Sequence, residues 1–320
     1  RAEGAYPVSQ RISWCAMKIA CLSGKGGAGK TMAAVNLAAA AGRGVYIDCD
    51  VEEPNGRLFL KPEGVRESTV SSMLPEFDAK KCNGCKKCVE FCRFHALMYI
   101  KEKPIVFSEV CHSCGGCMLV CPEGAVSKKL KPVGKLEIGA RGNIQIVTGI
   151  LNPGEASGVP VIREALAQGD RIVRGAGAPC KGKPFYEETM EPEAGLDHGE
   201  NLTVIDCPPG SACSVMESVM DADFCILVAE PTAFGFHNFR MVHQLVTLLG
   251  KKCGVVINKQ EEPYELLENF CEEQRLPVLA RIPYDSRIGA WIARGELIAK
   301  QDQEFHTLFV GILKQIGGSL

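Results

Sequence analysis

No uninterrupted apolar run in this sequence approaches the ~20 residues that a membrane-spanning helix needs. Charge of one sign is also lacking: 36 Lys and Arg stand against 38 Asp and Glu, a net charge of −2. That balance gives no electrostatic reason to expect nucleic acid or an anionic membrane as the main partner. Residues 1–16, ahead of Met17, lack the long apolar stretch of a signal peptide. They read as an N-terminal extension, disordered or added, outside the fold. With no export signal, the expected location is the cytoplasm. Cysteine, by contrast, is abundant. Of 17 cysteines, eight fall between residues 82 and 121. In a reducing compartment such a number does not mean disulfides, and the clustering points to metal. Most of the other nine lie in apolar runs, where cysteine serves as a small core residue.

At 320 residues the chain exceeds what one compact core usually holds, so a large domain with a smaller one is expected. From Met17 the pattern is α/β. "KIACLS" (18–23) and "GVYIDCD" (44–50) read as buried strands flanking an alanine-rich helix over 30–42. Further strands are expected at 142–151, 201–207, 223–230, 253–258 and 277–282, with helices at 236–249 and 286–299. That alternation implies a mostly parallel, doubly wound sheet covered on both faces. The rhythm breaks between 78 and 128. The expected organisation is therefore one domain formed by 17–77 and 129–320, with 78–128 inserted into it. Residues 174–200, rich in Gly, Pro and charge, read as a long exposed loop. The stretch 305–316, "FHTLFVGILKQI", is amphipathic but has no basic face, so it is expected to pack on the sheet and not on a membrane.

The insertion is an internal repeat. Cys82, Cys85, Cys88 and Cys92 recur 29 residues later as Cys111, Cys114, Cys117 and Cys121. Each half reads C-x2-C-x2-C-x3-C. In that spacing three thiolates hold one 4Fe–4S cube and the fourth reaches the other cube. One cluster would take Cys82, Cys85, Cys88 and Cys121; the other, Cys111, Cys114, Cys117 and Cys92. Two structural zinc sites are the competing reading, but zinc sites usually pair two C-x2-C knuckles across a longer gap. Pro122 follows the last cysteine as the pattern expects, whereas Arg93 stands where a proline would follow Cys92. His95 and His112 sit among the ligands, but eight thiolates already satisfy two cubes. The segment resembles the bacterial two-cluster ferredoxins over its whole length, which implies a small α+β unit.

"CLSGKGGAGKT" (21–31) satisfies two glycine patterns at once. Gly24, Gly26 and Gly29 match G-x-G-x-x-G, and Asp48 and Asp50 end the next strand where a dinucleotide's ribose would find its acid. The same stretch matches G-x-x-x-x-G-K-(S/T). Lys30 and Thr31 directly follow the last glycine: a triphosphate needs the lysine for its terminal phosphates and the hydroxyl for Mg²⁺, and a dinucleotide needs neither. Asp206 ends the apolar strand of "TVIDCPPG", where a P-loop protein keeps an acid and a γ-phosphate-sensing turn. Lys25 adds a second lysine inside the loop. ATP is therefore favoured over NAD.

"SGKGGAGKT", "IDCDVEEPN", "VIDCPPG" and "AEPT" resemble the deviant-Walker ATPases, the MinD-like, Mrp-like and nitrogenase iron protein group. With the cysteine repeat after the second strand, the chain most closely resembles MinD-superfamily P-loop ATPases carrying an inserted ferredoxin domain. The resemblance implies a phosphate cradle from Gly24 through Gly26, Gly27, Ala28 and Gly29, with Lys30 on the β and γ phosphates and Thr31 on Mg²⁺. It implies that Lys25 reaches across a homodimer to the partner's nucleotide. Asp50 would orient water or the Mg²⁺ shell, and Asp206 would be the switch acid. Asn258 would read adenine, beside Pro283 and Asp285. Asp48 is expected to be a structural acid. Cys213, seven residues after Asp206, matches the spacing of a cluster ligand in the nitrogenase iron protein, where a cube bridges two subunits. Cys180 would be its companion in a third, shared cluster; the competing reading makes both ordinary thiols. The motifs together imply an ATPase whose nucleotide cycle gates electron delivery to a redox client protein. Assembly or carriage of a metallocofactor is the second reading, and an NAD-linked ferredoxin oxidoreductase the third.

Overall fold

The computed structural model describes residues 17–175 and 202–318. Strand β1 (Lys18–Leu22) leads into α1 (Lys30–Ala41), and β2 (Arg43–Asp48) into α2 (Gly56–Leu60). Then β3 (Glu63–Phe77) runs out to α3 (Lys87–Phe91), the hairpin of β4 (Leu97–Ile100) and β5 (Lys103–Val106), and α4 (Gly116–Leu119); β6 (Val126–Arg141) returns. It is followed by β7 (Asn143–Leu151) and α5 (Val159–Gly175). Beyond residue 202 come β8 (Thr203–Asp206), α6 (Cys213–Val219), β9 (Phe224–Ala229), α7 (Ala233–Leu248), β10 (Lys252–Gln260) and α8 (Glu265–Glu273). The chain closes with β11 (Val278–Pro283), α9 (Ser286–Ala293), α10 (Ile298–Gln301) and α11 (Gln303–Gly318).

Nine of these strands, among the described residues, form one sheet in the order β11-β10-β9-β1-β8-β2-β7-β6-β3. The pairs from β11 to β7 are parallel, and β7–β6 and β6–β3 are antiparallel. The central strands β8 and β9 are buried at every position, which is why they read as continuous apolar runs. Helix α1 is alanine-rich and buried at 11 of its 12 positions. Small side chains let it lie close to the sheet, with α11 against it. Asn36 of α1 donates to Met32 O (2.8 Å) and accepts from Ala299 N (2.9 Å), which ties α10 to it.

The expected strands are present where the described residues cover them, but the helix expected over 286–299 is two, α9 and α10, broken at 294–297; α5 takes in the first two residues of the expected 174–200 loop, and the rest of that loop lies outside the described residues. The stretch 305–316 is part of α11, with Phe305, Phe309, Val310, Ile312, Leu313 and Ile316 buried in the core. Among the described residues no helix is long and apolar enough to cross a membrane. The long ribbon of β3 and β6 is the main departure from the sequence reading, which marks no strand there. The first half of β3 and the 127–130 stretch of β6 are exposed, so the alternation of apolar and polar residues that signals a strand does not develop there, although β6 packs Val133 and Leu136 into the core. The expected boundary after 77 coincides with the end of β3 and that before 129 lies just inside β6; the ribbon is continuous with the main sheet, and the cysteine segment sits at its far end.

Candidate functional site

Residues 23–29 connect β1 to α1. Gly27 and Gly29 have φ of 78° and 99°, and Gly29 ends the loop as the residue before α1. A Cβ at Gly29 would run into the Asn258 amide, so both backbone angle and space demand glycine there. Gly24 is pressed equally hard against the Asn238 carbonyl of α7, while Gly26 faces open space. The loop is braced from β10. Asn258, buried, donates to Ala28 O at 2.8 Å, and Lys259 Nζ donates to Gly27 O at 2.8 Å. Ser23 Oγ closes the turn by donating to Lys25 O (2.9 Å). The loop therefore delivers its amides, and the unpaired N–H groups of the first turn of α1, in a fixed shape suited to anionic oxygens.

Behind the loop lies a buried charge network. Lys30, 6% exposed, places Nζ 2.7 Å from Asp206 Oδ1 and 3.4 Å from Asp50 Oδ2. Tyr46 donates its hydroxyl to the other Asp206 oxygen at 3.0 Å. Burial alone would lower the Lys30 pKa, but the Asp206 and Asp50 carboxylates outweigh it and hold the ammonium above its ordinary value. Burial likewise pushes the Tyr46 hydroxyl well up, and Asp206 adds to it. Asp50 is raised by its burial, with Lys30 pulling the other way. Asp48 is fully buried and raised well above the carboxylate range by desolvation, then by Asp206. It accepts hydrogen bonds from Gly56 N (2.9 Å) and Asp50 N (3.2 Å). Its carboxylate organises the turn after β2, as expected of a structural acid, and is spent before any ribose could use it.

An open cleft of about 770 Å³ lies in front of the loop. Lys25, Thr31, Asp50, Pro208, Pro209 and Asn258 border it with the loop glycines 26, 27 and 29 and Lys30. Ala28 and Asp206 are buried behind that surface. Pro283 and Asp285 are not among the bordering residues. Asp285 caps α9 instead, accepting from Arg287 N at 2.7 Å and pairing with the Arg287 guanidinium. Sequence reasoning gave no role to three residues that shape this site: Tyr46, Lys259 and Glu230. Glu230 pairs with Lys25 at 2.8 Å and lies 3.9 Å from Lys259. The only hint was its place in "AEPT", at the end of β9.

The insertion holds two cavities. One is lined by Cys82, Cys85, Cys88 and Cys121, with Lys86 and Tyr99 at its edge. The other is lined by Cys92, Cys111, Cys114 and Cys117, with Phe94 and His112. The rings of Phe94 and His112 stack at 3.8 Å. His95 is exposed. Among the described residues, no three His, Cys, Asp or Glu side chains are placed to hold a single metal ion. Cys213 is exposed at the start of α6, and Cys180 lies outside the described residues.

Residues 19–298 match the family described as the CobQ/CobB/MinD/ParA nucleotide binding domain. The chain belongs to that family. It is 24% identical over 295 residues to the uncharacterized protein MJ0579 of Methanocaldococcus jannaschii, covering 89% of this chain and 92% of that protein. The cell division ATPase MinD of Pyrococcus furiosus superposes with a TM-score of 0.54 at 18% identity, over 96% of this chain and 100% of MinD. MinD of Pyrococcus horikoshii, complexed with Mg-ADP, gives 0.52 at 17% identity, over 94% and 95%. Both likenesses show the fold: a P-loop NTPase with a large, mostly parallel sheet. The chain is thus a nucleotide-binding member of the MinD superfamily.

Proposed function

We propose that this chain is an ATPase whose nucleotide cycle gates electron transfer from an inserted two-cluster iron–sulfur unit to a partner protein. One observation carries the iron–sulfur part. The eight cysteines line two cavities, and each cavity gathers the three thiols of one repeat with the fourth thiol of the other. That exchange is the ligand pattern of two-cluster ferredoxins. Two bound 4Fe–4S cubes would supply one-electron storage at low potential.

The nucleotide part rests on the loop at the head of α1. Its amides would cradle the phosphates, Lys30 would bridge the terminal ones and Thr31 would hold Mg²⁺. Lys30 is kept charged and aimed by Asp206 and Asp50. As triphosphate competes for the ammonium, the hold on Asp206 loosens. That change reaches Pro208 and Pro209 directly along the chain, and so provides a route from nucleotide state to the surface. Lys25 is paired with Glu230 of its own chain. To act on a partner's nucleotide in a homodimer it must release Glu230.

Anaerobic purification followed by iron and sulfide counting tests the proposal. About eight of each per chain is the expected result; a colourless protein holding zinc would overturn it. Transfer of intact clusters to an apo-protein would move the reading to a cluster carrier.

A further inference from the structure

The two cysteine repeats differ sharply in charge. Between residues 80 and 103 stand seven Lys and Arg against two acids, in a chain whose net charge is −2. Between 104 and 125, around the second repeat, there is no Lys or Arg at all. Six of the seven cations are lysines: Lys80, Lys81, Lys86, Lys87, Lys101 and Lys103. All six are exposed, and none forms an ion pair among the described residues.

These lysines gather at one place. Lys86 borders the cavity of Cys82, Cys85, Cys88 and Cys121, with Nζ 5.3 Å from the centre of the Tyr99 ring. Lys80 and Lys81 directly precede Cys82, and Lys87 precedes Cys88. Lys101, in the turn, and Lys103, at the start of β5, belong to the β4–β5 hairpin, whose Tyr99 and Pro104 line the same cavity. Acids stand beside this face too: Asp78 accepts from Lys80 N at 2.9 Å, Glu102 lies between Lys101 and Lys103, and Glu123 already accepts from Asn83 at 2.9 Å. The rim of the other cavity is aromatic, with Phe91, Phe94 and His112, and carries one cation, Arg93.

We infer that the lysine face around the Cys82 cavity is the docking surface for an acidic redox protein, and that electrons leave the chain through this cavity's cluster. The inference rests on the iron–sulfur reading above and names its partner's chemistry. Unpaired lysines attract an anionic face and speed encounter. Cys85 is exposed beside Lys86 on the cavity lining, which leaves this side of the unit open to a docked acceptor. A nucleic acid offers no acceptor to such a cluster, so a protein carrying carboxylates fits the position better. In the step itself one electron leaves the reduced cluster and the partner's acceptor gains it; no bond forms or breaks.

The test uses the anaerobic holoprotein, reduced with dithionite, and stopped-flow transfer to three probes: an acidic flavodoxin, basic cytochrome c and uncharged menadione. The variant Lys87→Glu/Lys103→Glu alters two parts of the lysine face, with Arg43→Glu as a distant control. At about 50 mM salt the double variant should transfer to flavodoxin about tenfold more slowly. The difference should vanish near about 500 mM salt, where exposed charges are screened. Transfer to menadione, iron content and cluster potential should stay unchanged, and transfer to cytochrome c should not slow. Should the double variant lose iron, Lys87→Gln/Lys103→Gln carries the same comparison. Unchanged flavodoxin rates in a protein with about eight irons, or equal slowing with menadione, would overturn the docking face alone. So would binding of duplex DNA that depends on the same lysines and excludes flavodoxin. Iron-free protein would overturn the iron–sulfur reading and the docking face with it.

Discussion

Lys30 and Cys85 stand at opposite ends of the range of burial. Lys30 is 6% exposed and already held by two carboxylates, and a tyrosine hydroxyl bonds the nearer of them. Cys85 is exposed, and its companions Cys82, Cys88 and Cys121 are only half-covered around their cavity. The nucleotide loop grows out of a nine-stranded sheet with helices on both faces, and its shape is braced by Asn258 and Lys259 from another strand. The cysteine unit has helices of five and four residues and a two-stranded hairpin. Its own buried apolar residues number four: Ala96, Leu97, Ala125 and Val126. So small a core does not stabilise a unit of this size unaided, and such units are commonly stapled by metal. One region has its chemistry assembled by packing; the other, on the proposed reading, would depend on the clusters its thiols hold.

The sharpest break in that comparison comes from iron removal. Chelation under anaerobic conditions should abolish electron transfer and open residues 78–125 to protease and to hydrogen exchange, while nucleotide binding at the cleft is retained. Loss of nucleotide binding along with the iron would show the two regions to be one folding unit. Next in size, Lys30→Ala should lower kcat/KM for ATP about 10³-fold. It also strands the buried Asp206 carboxylate, at a stability cost of about 3–5 kcal/mol. Iron content should not change. Hydrolysis that survives the substitution would mean the loop is not the engine. Lys25→Ala should cost about 10²-fold, and the remaining activity should no longer rise with protein concentration, since the lysine is assigned to a dimer contact. The smallest effect concerns pH. Burial raises the Asp50 pKa, so the carboxyl takes up its proton at higher pH than an ordinary aspartate would. The acid limb of kcat/KM, which reports the free enzyme, should therefore fall off above the usual ~3.9, and Asp50→Asn should remove that limb.

The sheet was legible because its strands are buried on both faces: "TVID" and "FCILVA" admit little but a central strand. The phosphate loop was legible because glycine at 27 and 29 answers a backbone demand and Lys30 a charge demand. The grouping of the cysteines was legible because the two repeats' spacing and exchange match the sets that line the two cavities. The β3–β6 ribbon was not, since the exposed first half of β3 and the 127–130 stretch of β6 leave no periodic signature. Nor was the link between Glu230 and Lys25, which are more than two hundred residues apart and meet only because β9 lies beside β1. Nothing local in "AEPT" announces it.

The central claim is that nucleotide at Lys30 governs electrons held by the cysteine unit. The most direct measurement follows cluster absorbance of the dithionite-reduced holoprotein in stopped flow against acidic flavodoxin, with MgATP, MgADP or no nucleotide. The account predicts electron loss that is faster with MgATP than with MgADP or none, with the clusters retained and with no such difference in Lys30→Ala. Equal rates in all three states would contradict it.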